Sequence, residues 1–281
     1  MRGIWAGALL VCYLAGGAVL LVVGSERAPA GALSAHLLLL AALVIATFVP
    51  AVPRWLRPWA PLLALLFLYS EMPLLIAAAG HGSVRDVAVI GWEQALFGGQ
   101  PAREWAARWP GTALSEILHG AYLSYYAIIF VIPVVLQLRG RAGELSDAVF
   151  VLMLTFVVCF VWYLFFPVAG PRYSGPAAAS PSAGPLRALT IWLLEARSSR
   201  GTAFPSSHVA VSVTQCILAV RYFGARGAWL ILPTMLLAAG AVYGGFHYAV
   251  DIVAGAAVGA VSAFLGVWLT RARQANATAP T

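Results

Sequence analysis

The chain has no lysine; its positive charge rests on arginine alone, 17 residues in all. Charge of either sign is scarce, at 10% of 281 residues, where a soluble domain carries about 25%. That shortage excludes a large water-exposed domain. Cysteine is rare as well. Cys12, Cys159 and Cys216 sit in separate apolar runs, so neither a disulfide framework nor a paired-cysteine zinc site is expected. The net charge is +7, but no basic stripe with interleaved aromatics accompanies it, and nucleic-acid binding is not expected. What is abundant is apolar surface, at 62% of residues. The chain reads as an all-α, polytopic integral membrane protein.

Eight apolar stretches approach the length of a spanning helix: 4–24, 32–50, 59–79, 113–137, 147–168, 206–222, 227–245 and 248–270. The first follows a single arginine and precedes another span, so it reads as a retained helix more than a cleaved leader. Arg54 and Arg57, Arg139 and Arg141, Arg221 and Arg226, and Arg271 and Arg273 all fall on one side if every span crosses. Positive charge in short loops marks the cytoplasm. Both termini are then cytoplasmic, and the long connections 80–112 and 169–205 face outward. Residues 1–58 form two N-terminal helices, 59–272 a core of six, and 273–281 a short tail. Trp92, Trp105 and Trp109 place the first connection at the membrane interface. The stretch 185–196 in the second is apolar enough for a short interfacial helix.

Ionisable groups at membrane depth are functional candidates by default. Three segments on the outward side hold them: "FPVAGPRY" with Arg172, "FPSSHVAV" with His208, and "YGGFHYAVDIVAG" with His247 and Asp251. His247 and Asp251 are four apart, which on a helix puts them on one face. An aspartate there can accept Nδ1–H of the imidazole and leave Nε2 nucleophilic. A helix-capping hydrogen bond is the plainer alternative. Zinc is a weaker one, since no fourth ligand is apparent. Ser206 and Ser207 precede His208 and suit an N-cap. A helix N-terminus with Arg172 nearby favours a phosphate.

Together these segments resemble the type 2 phosphatidic acid phosphatase and vanadium haloperoxidase superfamily, whose signatures are KxxxxxxRP, PSGH and SRxxxxxHxxxD. Here the second reads Pro205-Ser206-Ser207-His208 and the third retains His247 and Asp251. The resemblance covers about 60–272, and its specificity lies in the order and spacing of the motifs. It implies that His247 attacks phosphorus to give a phosphohistidine, oriented by Asp251, while His208 protonates the leaving group. It also implies phosphate contacts from Arg172, Ser206 and Ser207, and no metal or other cofactor.

The departures are specific. The first-motif lysine would fall at Phe165, Pro171 precedes Arg172, Ser207 replaces a glycine, and the third-motif Ser-Arg would fall at Gly240 and Ala241. Two cations are lost unless Arg197 or Arg200 reaches the site. The pattern is similar to the inositol phosphorylceramide synthase-like branch, whose members move a phosphorylated headgroup between lipids. The expected substrate is a membrane phospholipid or lipid phosphate, with water or an inositol-like alcohol as acceptor. Glu71, Tyr122 and Tyr126 are candidates for a headgroup pocket. Glu116 and His119 read as a local pair, and His36 has no evident partner. The alternative is a non-catalytic lipid-binding or transport protein on the same scaffold, which the retained His208, His247 and Asp251 argue against. The absence of lysine and the wealth of alanine, glycine and arginine fit a bacterial plasma-membrane protein.

Overall fold

The computed structural model describes residues 4–81, 84–174, 184–197 and 199–278. The chain runs α1 (Trp5–Val23), α2 (Ala32–Phe48), α3 (Trp59–Ala78), α4 (Asp86–Phe97), α5 (Pro101–Arg108), α6 (Thr112–Leu123), α7 (Tyr125–Leu138), α8 (Ala142–Phe165), α9 (Pro185–Arg197), α10 (Ser207–Phe223), α11 (Ile231–Tyr243) and α12 (Ala249–Thr278). No strand forms among the described residues, and the fold is an all-helical membrane bundle. Among the described residues, five stretches are long and apolar enough to cross a membrane, or six with α6 and α7 taken as one span bent by 43°.

Several expectations meet this geometry directly. The eight apolar stretches all become helical, with α2 (17 residues) and α11 (13 residues) short for a crossing. Ser207–Tyr243 counts as one long apolar stretch, yet the chain turns at Gly224, which holds φ +61°. α10 begins and α11 ends beside the same aromatic cluster, so the two form a hairpin. α9 occupies the expected position of the short helix in the second connection. The last helix continues through 273–278, where a tail was expected; residues 279–281 lie outside the described residues.

α8 is the most buried of the candidate spans and forms the central post. α12 packs closely on α10 through Gly255 and Gly259. A Cβ at Gly255 would lie 2.5 Å from the Ser206 carbonyl oxygen, and one at Gly259 would lie 2.2 Å from that of Ala210. Glycines four apart let two membrane helices approach backbone to backbone. This approach brings the start of α10 against the start of α12. The arginines of the short turns gather at the far end of the bundle, where Arg141 Nη1 donates to the Tyr222 carbonyl at 3.3 Å.

Candidate active site

Ser206 is the N-cap of α10, and its Oγ accepts from Val209 N–H at 3.4 Å. Ser207 is the first helical residue and is buried. The two serines therefore differ in role: only Ser206 caps. Tyr163, at the end of α8, donates its hydroxyl to the Pro205 carbonyl at 2.9 Å and fixes the approach to the helix. Ser206 N–H donates to the Asp251 carbonyl at 3.1 Å, tying α10 to α12.

His247 does not share a helix with Asp251. It lies in the turn before α12, while Asp251 is in the first turn of that helix. Asp251 Oδ2 accepts from Tyr248 N–H at 2.7 Å and stands 3.4 Å from His247 Nδ1. The nearer partner of Nδ1 is the Ala203 carbonyl at 2.9 Å. A carbonyl can only accept, so Nδ1 carries the proton and Nε2 keeps its lone pair. The main orienting group is thus a backbone carbonyl, with Asp251 beside it, where the aspartate alone was expected.

His208 faces His247 across one cavity, with ring centroids 5.5 Å apart and planes at 63°. Its Nε2 lies 3.2 Å from the Tyr122 hydroxyl, and Tyr125 packs on its ring at 4.2 Å. Its Nδ1 is buried without a hydrogen-bond partner. Arg172 follows Pro171 in a 3-10 turn and lines the same cavity, and its Nη1 is buried and unpaired. A buried guanidinium nitrogen with no acceptor is poised for an anion. Gly170 ahead of it adopts φ +96°, and a Cβ there would stand 3.2 Å from that of Ala203.

The remaining candidates divide. Tyr122 lines the cavity and Tyr126 does not; the latter is half-exposed, 5.8 Å from the Tyr125 ring. Arg200 is exposed and sits 4.8 Å over the Tyr173 ring, at the rim; the guanidinium of Arg172 touches the same ring at 5.6 Å. The Arg197 side chain lies outside the described residues. Glu71 faces α2, where its carboxylate oxygens meet His36 Nδ1 at 3.0 and 3.1 Å. It does not line the cavity, because burial in an apolar helix interior demands a partner and His36 supplies it. Glu116 and His119 do not pair with each other: Glu116 accepts from Leu186 and Arg187 N–H at 2.8 and 3.0 Å, capping α9, and His119 Nδ1 bonds the Ser115 carbonyl at 2.7 Å.

Residues not singled out from the sequence also line the cavity: Tyr69, Ser199, Thr202 and Phe246. Tyr69 and Thr202 share a hydrogen bond of 3.1 Å. Ser199 Oγ is buried and unpaired. Tyr69 carried a weak signal, as the first of three polar residues, Tyr69-Ser70-Glu71, in an apolar span. Among the described residues no group of three or more His, Cys, Asp or Glu has a metal-binding arrangement.

A helical membrane bundle that gathers two histidines and a guanidinium around one cavity, with an aspartate behind one of the histidines, is phosphatase-like in arrangement. A family model described as the PAP2 superfamily matches residues 87–265, well over half of the chain. The chain belongs to that superfamily. The match begins in α4 and ends in α12, so α1 to α3 lie outside it and all three site segments lie within. No curated protein matches the chain, and no solved structure does.

Proposed function

We infer that the chain is a membrane phosphoester-cleaving enzyme acting on a lipid through a phosphohistidine. The observation that carries this is the His208–His247 pair around one cavity with the unpaired Arg172 Nη1. In the first half-reaction His247 Nε2 forms a bond to phosphorus as the bond to the leaving oxygen breaks. The leaving oxygen takes a proton from His208. Nδ1–H of His247 stays in place, and the Ala203 carbonyl and Asp251 stabilise the charge that develops on the ring. Arg172 and the N–H groups at the start of α10 hold the non-bridging oxygens. In the second half-reaction water or an alcohol gives its proton to His208 and attacks phosphorus, and the N–P bond breaks. None of these steps calls for a metal.

The acceptor is the finer question, and cation scarcity favours headgroup transfer from a phosphodiester. Arg172 is the one guanidinium lining the cavity among the described residues. Phe165, at the place of the first-motif lysine, is exposed on the apolar surface of α8. At Gly240, a Cβ would stand 2.3 Å from the Leu118 carbonyl oxygen, and neighbouring Ala241 is fully buried. A monoester carries nearly two negative charges near neutral pH and a diester about one, so one buried cation suits the diester. This reading is that of an inositol phosphorylceramide synthase-like transferase, placed in a bacterial plasma membrane with the site on the outer face.

The test is turnover without added metal, on phosphatidic acid and a panel of phosphodiester lipids, with and without inositol and other alcohols. A phosphohistidine should be trapped from a headgroup-labelled or phosphate-labelled lipid and be absent in His247→Ala. Unchanged turnover in His247→Ala would sink the mechanism. Release of phosphate from phosphatidic acid with no headgroup exchange would replace transfer with hydrolysis.

A further inference from the structure

Two acidic side chains on α4 grip the backbone of two of the three segments that carry the site, and neither lines the cavity. Asp86 and Glu93 are seven residues apart, two helical turns, so they share one face with Val89 between them. These are the buried residues of α4. Val89 packs with Val168, Ala203, Phe204, Tyr248 and Val250, which belong to the site segments themselves.

Asp86 divides its oxygens between consecutive amides. Oδ2 accepts from Ala169 N–H at 2.8 Å and Oδ1 from Gly170 N–H at 2.9 Å. The Tyr248 hydroxyl donates to the same Oδ1 at 3.0 Å. Three donors converge on one side chain, which suits a carboxylate and not an amide, because asparagine would turn an NH₂ toward a donor. Pro171 and Arg172 follow Gly170 directly. Glu93 Oε1 accepts from Ala249 N–H at 2.7 Å. Ala249 opens α12, two residues after His247 and two before Asp251. Removing two acidic side chains from water is costly unless they are bonded; Asp86 has both oxygens bonded, Glu93 has Oε1 bonded and Oε2 buried without a partner, and these bonds end on the backbone that presents Arg172 and Asp251.

We propose that α4 is a positioning clamp. Asp86 sets Arg172 through the Ala169–Gly170 turn, and Glu93 sets Asp251 through the first turn of α12. Both act through other residues. Only the kinetic half of the idea rests on the phosphoester reading given above.

Hydrogen exchange by mass spectrometry on the full chain in detergent tests the clamp without reference to turnover. In Asp86→Ala, exchange across 168–173 should rise about tenfold or more while 248–253 stays within about twofold of wild type. In Glu93→Ala the pattern should reverse. Kinetics then separates positioning from general loosening. Asp86→Ala should raise KM about tenfold, as expected if Arg172 grips ground and transition states alike; Glu93→Ala should lower kcat about tenfold with KM little changed. Adding Asp86→Ala to Arg172→Ala should cost no further activity, since both remove one interaction. Unchanged exchange in either variant, or acceleration of both regions in both, overturns the clamp. If Asp86→Ala does not yield folded protein, Asp86→Asn keeps one acceptor and should show an intermediate rise across 168–173 alone. A wild-type chain that turns over no phosphoester would sink the function reading, while the exchange pattern still decides the clamp.

Discussion

Replacing Gly255 by alanine should disable the site without touching any group in it. A Cβ there would stand 2.5 Å from the Ser206 carbonyl oxygen and 3.2 Å from the Ser206 Cβ. Ordinary contact begins at 3.4 Å, so α12 and α10 must part by about 0.9 Å, and neither atom is the free end of a flexible chain. Overpacking of this kind destabilises by about 1–3 kcal/mol. The same movement stretches the 3.1 Å bond from Ser206 N–H to the Asp251 carbonyl toward 4 Å, beyond hydrogen-bond range. His208 rides on α10, and His247 and Asp251 ride at the start of α12. A misplacement of about 1 Å between reacting groups can reduce turnover about a hundredfold. The assay is kcat/KM beside thermal unfolding in detergent, with Gly16→Ala as the control. Gly16 has no neighbour within 4 Å of a built Cβ, and alanine in a helix interior is favoured by up to about 1 kcal/mol. Wild-type turnover and stability in Gly255→Ala would refute the close seating of these helices, and with it the geometry that joins the two halves of the site.

Asp251→Asn should reduce kcat by about 10- to 100-fold, less than the roughly 10⁴-fold loss when a histidine depends on its aspartate for its tautomer, because His247 Nδ1 keeps the Ala203 carbonyl at 2.9 Å; a drop of four decades would show that the carbonyl does not orient the ring. Burial pushes the Glu93 carboxyl up to about 7 from its ordinary 4.5, with Asp251 and Glu104 raising it further and the Ala249 amide and Arg103 opposing. The folded protein then holds this proton more tightly than the unfolded chain. Its contribution is full below about pH 4.5 and is lost as pH rises toward 7, so stability from this group falls across that window. Glu93→Gln should flatten that part of the pH–stability curve, measured by thermal unfolding; an unaltered slope would show that Glu93 is not its source. His36→Ala should destabilise by about 3 kcal/mol through the uncompensated Glu71 carboxylate, with kcat per folded molecule unchanged, since the pair lies away from the cavity. A His36→Leu, Glu71→Leu double variant should recover most of that loss, and a fall in kcat in the double variant would return Glu71 to the headgroup pocket.

Motif spacing pointed to the histidines that share the cavity and to the aspartate beside one of them, because such groups in apolar runs are few enough to stand out. The rough bounds of the apolar helices were legible because long apolar runs have no other stable form in a bilayer, but their number was not: 113–137 breaks into α6 and α7, and α4 and α5 form in the first connection. The supporting contacts were hidden. The main partner of His247 Nδ1 is a backbone carbonyl 44 residues away, and a carbonyl leaves no mark on residue identity. The four-residue spacing of His247 and Asp251 invited a helical reading, yet the glycines at 244 and 245 let the chain turn there, Gly245 with φ +68°. His36 and Glu71 are 35 residues apart, and only the packing of α2 on α3 discloses their pairing. Asp86 and Glu93 did carry a signal: acids seven residues apart on a helix that otherwise reads as apolar.

The missing third-motif arginine and the close packing of α6 on α11 are one structural fact. Gly240 lets α11 approach the Leu118 carbonyl within the reach of a single methyl group. That approach sets Tyr122 and Phe246 against Ala241, with the Tyr122 and Phe246 rings 4.7 Å apart. Tyr122 then stacks on His208 at 5.1 Å, with its hydroxyl 3.2 Å from Nε2. An arginine at 241 would need the space these rings occupy, and a side chain at 240 would push α6 away and withdraw Tyr122 from His208. The space beside Ala241 is filled by aromatic rings, and one of them holds His208. Restoring arginine at 241 should consequently weaken turnover of every substrate, not convert a diester site into a monoester one.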